Sequence, residues 1–317
     1  MRRALLSSFV LLAAIAQPAI AQAPPPGQSR WAKEVPVIAS GPWTGPKLAD
    51  GQPDVTGYWS NTISNQSNWT DPQAGPPGEP SETAKLPRNQ RAPSRVSDPA
   101  DGHMPYLPAA RALQQDFERN FSNPTKSRYI EPLARCAPGG VPKSFYWHGY
   151  EIRQYPGYVI FFFDSGTRII RLDGKPHLPA NIKLWNADSR GHWEGNTLVV
   201  DVANNNAKAL FGRTGDFATE TVKIVERYIF DKGGKRFNYV ATFTDPTIYS
   251  RPWTATIPSI RYSEANAPDG WHYQVIPANR PGKPLLHEQP ERICVENNGP
   301  FGGGAVGVPS DGAVIDR

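Results

Sequence analysis

Asp231-Lys232-Gly233-Gly234-Lys235, followed by Arg236-Phe237-Asn238-Tyr239-Val240-Ala241-Thr242-Phe243-Thr244, decides the fold class. Phe237, Tyr239, Ala241 and Phe243 fall on one side of an extended chain, and Asn238, Val240 and Thr242 on the other. Alternation at a period of two is the mark of a strand with one face buried. The Gly-Gly turn before it ties this strand to the run Thr219–Phe230 as a hairpin.

The same grammar extends in both directions. Upstream, Phe145–Gln154, Tyr158–Asp164, Arg168–Leu172 and Thr197–Val202 read as strands, with turns at Asp173-Gly174 and Gly195-Asn196. Downstream, Trp253–Tyr262 and Gly270–Ile276 complete the set, and Val55–Ser60 supplies an earlier strand after the turn-like Asp50–Asp54. Strands in succession with no helix between them predict an all-β domain built from antiparallel hairpins. A lipocalin-like barrel or strongly curved sheet is the preferred closure, with a sandwich as the alternative. One short helix is expected over Leu107–Asn120, where Pro108 suits the first turn and Leu113 and Phe117 share a face.

The remaining segments are organised around this domain. Met1-Arg2-Arg3, an uncharged apolar run from Ala4 to Ile20 and small-x-small patterns at Ala19–Ala21 and Ala21–Ala23 form a secretory signal peptide over residues 1–22. Residues 23–50 read as a flexible Pro-rich arm, 51–298 as a single β-rich domain with a long Pro-rich loop at 71–106, and 299–317 as a disordered Gly-rich tail. Export places the mature protein in the periplasm or outside the cell. Cys136 and Cys294 form an even pair, which in an oxidising compartment is most simply a disulfide, worth about 4–5 kcal/mol in the chain-entropy model for so long a loop. The formal net charge is +5, but the basic residues are scattered and two of them lie in the leader, so no nucleic-acid partner is expected. No later apolar run reaches the ~18 residues of a membrane span.

Several motifs together resemble a family of secreted bacterial proteins with no activity assigned to it as a whole. They are Asp50-Gly51-Gln52-Pro53-Asp54-Val55-Thr56-Gly57-Tyr58-Trp59, the segment Cys136–Pro142, Arg168–His177 with its Asp173-Gly174-Lys175-Pro176-His177 turn, Glu226-Arg227-Tyr228 and Asp245–Trp253. The most specific is Gly191-His192-Trp193-Glu194-Gly195-Asn196-Thr197-Leu198-Val199-Val200. The resemblance implies a shared fold and export, and it assigns no catalytic residue. Asn196 stands where the family often has Asp, and Cys294-Val295-Glu296-Asn297 lacks the family's His after Cys.

Candidate chemistry is sparse. The six histidines show no metal-ligand spacing, and no Walker loop, nucleophile elbow, haem or dinucleotide motif is present, so no cofactor is expected. Trp193–Thr197 reads first as a tight hairpin with Trp193 on the core face. The functional alternative places His192 and Glu194 together on the opposite face as an acid–base pair. His148 and Tyr150 share a face of another strand, with Trp147 on the other side. Asp164 and Arg168 flank a turn and are placed for an ion pair, and Asp188 precedes the Trp193 hairpin. Nine Trp and twelve Tyr supply rings for a pocket wall, with Arg251-Pro252-Trp253 and Trp69 expected at its mouth. The leading expectation is a secreted protein holding a small apolar or aromatic molecule, with catalytic His148, His192 and Glu194 as the enzyme alternative and a structural envelope component as the third.

Overall fold

The computed structural model describes residues 35–60, 68–72, 74, 82–121, 124, 126–130, 132, 136–145, 149–163, 166–212 and 214–261, with the backbone of 275–276 and 286–287. Residues 1–22, expected to be a signal peptide, Trp147, His148, Asp164, Cys294 and residues 299–317 lie outside the described residues.

Ten strands form one sheet: β1 (Gly57–Ser60), β2 (Val96–Asp98), β3 (Gly149–Tyr155), β4 (Tyr158–Phe163), β5 (Gly166–Arg171), β6 (Asp188–Glu194), β7 (Thr197–Ala203), β8 (Lys223–Phe230), β9 (Arg236–Thr244) and β10 (Trp253–Arg261). The order β1-β3-β4-β5-β6-β7-β8-β9-β10 closes on itself because β1 also pairs with β10, through Trp59 opposite Arg261 and Ser60 opposite Ile260. The result is a nine-stranded barrel. β2 lies outside it against β10, and α1 (Pro108–Arg119) is the one α-helix among the described residues.

The expected all-antiparallel order fails at one place, for a reason of parity. Strand directions cannot alternate all the way round a closed ring with an odd number of members. The unavoidable parallel pair is β5–β6, registered at Ile170 with Ser189 and Arg171 with Arg190. A parallel pair needs a long crossover, and residues 172–187 provide it. Asn204, at φ +63°, holds this crossover down by donating to the carbonyls of Leu178, Pro179 and Ile182.

The inner wall follows the alternation in the sequence. Phe237, Tyr239, Ala241 and Phe243 of β9 are all fully buried, as are Ile224, Glu226, Tyr228 and Phe230 of β8. Val159, Phe161 and Phe163 of β4 continue the ring, while the alternate Val225 on β8 is exposed. Rings fill the middle of the barrel, with Phe161 5.3 Å from Tyr228 and Phe230 4.8 Å from Phe237 between centroids.

Three segments differ from expectation. Phe145 belongs to no strand. Residues 139–145 form a buried turn in which Ser144 N bonds Gly140 O and Phe145 N bonds Pro142 O, so their donors are used locally and the strand begins at Gly149. Residues 35–47, expected within a flexible arm, lie on the barrel. Asn196 donates to Ala39 O at 3.0 Å and accepts from Gly41 N at 2.8 Å, and Asn238 donates to Pro36 O at 2.5 Å. Trp69, expected at a pocket mouth, is fully buried edge-on to Trp253 and Phe243, its indole donating to Phe211 O.

Candidate functional site

The barrel interior holds a charged cluster among its rings. Arg168, on the inner face of β5, reaches across to Glu226 of β8 in a two-pronged contact, Nη1 to Oε1 at 3.0 Å and Nη2 to Oε2 at 2.6 Å. Its Nε and Nη2 donate to Ser189 Oγ of β6, and Nη1 also to Tyr228 OH at 3.1 Å. Tyr239 OH of β9 donates to Glu226 Oε1 at 2.7 Å. Every member is buried. Burial opposes the guanidinium charge, but Glu226 and the phenols outweigh it and hold Arg168 protonated. Burial, reinforced by Glu226, pushes Tyr228 and Tyr239 well above the ordinary phenol range. The cluster therefore carries one matched pair of charges and two neutral phenols. The expected partner of Arg168 was Asp164; the described partner is Glu226, on the far side of the barrel.

Phe145 packs directly on this wall. Its centroid lies 4.1 Å from Tyr239, 5.2 Å from Tyr150 and 5.5 Å from Tyr228. Tyr150 is inward-facing and buried, and its hydroxyl shares a 2.9 Å hydrogen bond with Ser259. Trp253 is also inward and buried, stacked on Phe243 at 4.1 Å. The structure thus brings Tyr150, Arg168 and Trp253 to the inner wall and seals all three from solvent.

Of the named residues that are described, His192, Glu194 and Asp188 stand on the outer wall. His192 Nε2 lies 3.0 Å from Glu194 Oε1, with side-chain exposures of 63% and 47%. They share a face, and Trp193 turns inward against Phe230, as the strand period requires. Glu194 is also bound by Arg227 at 2.6 Å. Arg227 and His192 together hold the carboxyl below its usual range, which works against proton transfer near neutral pH. This face is the outside of the barrel, so the pair does not share the interior with Arg168.

Asp188 faces outward too, but the crossover covers it. Its Oδ2 accepts from His177 Nδ1 at 2.8 Å, from Leu178 N at 3.0 Å and from Arg190 Nε at 3.2 Å. Burial alone would raise its pKa, but these donors outweigh burial and lower it. His177 Nε2 sits 3.5 Å from Asp201 Oδ2. The bonds from His177 and Leu178 to Asp188 fasten the crossover to β6.

Sequence reasoning named Arg168 and Tyr150 but missed Glu226, Tyr239 and Phe145 as members of this cluster. For Glu226 a signal existed: Ile224, Glu226, Tyr228 and Phe230 share one strand face, and a carboxylate in that series is a buried polar group in need of a partner. Among the described residues no group of three or more His, Cys, Asp or Glu could hold a metal ion, and no helix is long and apolar enough to cross a membrane.

Fold and cluster together define a closed mixed β-barrel with a ring-filled interior and a buried ion pair. Comparison with family models, curated proteins and solved structures gives no match.

Proposed function

We propose that this chain is an exported small-molecule-binding protein and that its ligand is apolar or aromatic, held against the aromatic side chains that fill the barrel. The observation that carries the reading is the Arg168–Glu226 pair with Tyr228 and Tyr239, buried in an aromatic wall. A buried ion pair adds little stability over well-packed apolar residues of similar volume. The pair's hydrogen bonds are satisfied within the cluster, so what it offers a ligand is its aromatic surround. The leader-like residues 1–22 support export, and the Cys136–Cys294 pair is proposed as a disulfide suited to that compartment.

The test begins with protein recovered from outside the cytoplasm of an exporting host. Organic extraction and mass spectrometry are expected to release one apolar or aromatic molecule per chain. A wild-type protein that carries nothing, and shows no thermal shift with any of a panel of small aromatics, sinks the binding reading. Absence of the protein from outside the cytoplasm of that host sinks export, Met1 retained in the exported fraction sinks cleavage of residues 1–22, and two titratable thiols sink the disulfide.

A further inference from the structure

We infer that the joint between α1 and residues 214–218 is a pH-responsive latch on one end of the barrel, closed while the Asp216 carboxyl carries its proton and loosened when it ionises. Nothing in this depends on a bound molecule, so its failure leaves the binding reading untouched. β7 ends at Ala203 and β9 at Thr244, while β8 begins at Lys223 and β10 at Trp253, so the connections 204–222 and 245–252 leave the same end of the barrel. α1 is seated on both. Leu107 N, at its start, bonds Ile248 O, and the Gln114 amide donates to Thr214 O. A Cβ on Gly215 would collide with Gln114 O and stand 2.8 Å from Glu118 N, so helix backbone rests directly on the residue before Asp216. Rings fill the joint, with Phe217 6.0 Å from Phe117 and stacked on Tyr106 at 5.9 Å.

Asp216 is buried in this joint, and its carboxyl is met by two hydroxyls, Tyr106 OH at 3.1 Å and Thr214 Oγ1 at 2.7 Å. The nearby cation, Arg111 of α1, donates instead to Gln114 Oε1 and Met104 O. Glu118 of α1 and Tyr249 of the 245–252 connection also face Asp216. Burial, reinforced by Asp216, keeps Tyr106 and Tyr249 neutral. A hydroxyl accepts as well as donates, so these partners satisfy a protonated carboxyl. They compensate poorly for the water that a carboxylate has lost. Burial accordingly lifts the Asp216 pKa to about 6, by more than the hydroxyls and Arg111 take back. The proton is held more tightly in the closed joint than in an open one. The joint is therefore tightest below about 4, loosens as pH rises to about 6 and changes little above that. Parting α1 from these connections breaks few backbone bonds, whereas β8 and β9 are registered over eight residue pairs. The joint is thus where water reaches the carboxylate.

Native-state hydrogen exchange from pH 4 to 8, corrected for the chemical exchange rate at each pH, tests this on wild type and Asp216→Asn. The reporters are the Phe211 amide, which bonds Asp216 O, and the Leu107 amide, which bonds Ile248 O. In wild type both are expected to open at lower free energy than the β8–β9 amides, with an open population that grows by about tenfold or more across the window. In Asp216→Asn that growth is expected to vanish while the order of protection stays. Tyr106→Phe removes a donor that favours the carboxylate, so it is expected to carry the rise to higher pH.

Wild-type reporters that show no rise overturn the latch. A rise that persists in Asp216→Asn assigns the proton to another group and overturns it too. Reporters that open only together with β8 and β9 would mean that Asp216 meets water by unfolding of the whole barrel, with no latch. If Asp216→Asn does not fold, Tyr106→Phe decides the matter, and a rise left at its wild-type pH overturns the proposal.

Discussion

Glu226 has no route to water, and its charge is tolerated because Arg168 meets both oxygens and Tyr239 caps one of them. Removing one partner strands the other. Arg168→Met is expected to cost about 3–5 kcal/mol in urea unfolding, and the double variant with Glu226→Leu to recover most of that loss. Equal destabilisation by single and double variants would show that the two charges are not coupled. A second buried acid behaves differently. Asp216 accepts from Thr214 Oγ1 at 2.7 Å and Tyr106 OH at 3.1 Å, yet burial outweighs these bonds and pushes its pKa up to about 6. A carboxyl with a raised folded pKa holds its proton more tightly folded than unfolded. Its contribution is therefore complete below about 4 and is lost as pH rises through about 6. Two units correspond to about 3 kcal/mol. Stability measured from pH 4 to 8 is expected to show this fall, and Asp216→Asn to flatten it. A wild-type profile with no fall in that window would refute the assignment.

The β6–β7 hairpin shows how one turn can organise a distant segment. Gly195, at φ +59°, and Asn196 make a two-residue turn between Glu194 and Thr197. A Cβ on Gly195 would stand 2.1 Å from the carbonyl oxygen of Gly41, so the arm crosses this turn at a distance that only glycine permits. Asn196 then fastens the arm through its backbone N–H and both ends of its amide, also donating to Phe230 O at 2.6 Å. Asn196→Ala removes its side-chain bonds to Gly41, Ala39, Phe230 and Thr197 while leaving the turn glycine in place. It is expected to free residues 35–44, seen as faster exchange of the Gly41 amide and new protease cleavage there, with a loss of about 2 kcal/mol or more. An unchanged cleavage pattern would show that packing of Trp43 on Phe230, not Asn196, holds the arm.

At the scale of the whole molecule, the ring has two short seams, β1–β10 at Trp59–Arg261 and Ser60–Ile260, and β5–β6. β4 and β5 pair along their full length from Tyr158–Arg171 to Phe163–Gly166, but β5 and β6 meet only at Ile170 and Arg171. Beyond that pair the seam is bridged by side chains, with Asn186 Nδ2 donating to Thr167 O and Arg168 reaching Ser189. Native-state hydrogen exchange is expected to find the Gly166–Arg171 strand opening at lower free energy than β8 and β9. Equal protection across the barrel would mean that Arg168 and the crossover restore what the short ladder lacks.

Much of this was legible in the chain before any coordinates. Alternation in Arg236–Thr244, the Asp231–Lys235 turn and the Gly195-Asn196 turn established an all-β fold of hairpins, because side-chain period and turn chemistry are local properties. The helix near Leu107–Asn120 was readable for the same reason. What is non-local was not. The number of strands in the ring, and hence the parallel β5–β6 pair, depends on which edges meet. Whether Arg168 faces Asp164 or Glu226 depends on what lies across the barrel. His192 and Glu194 were correctly placed on one face, but only closure decided that this face looks outward. Sequence determined the elements and their two-sidedness through torsional preference and hydrophobic period. The tertiary structure decided which side became the inside, because that is settled by burial summed over all nine strands at once.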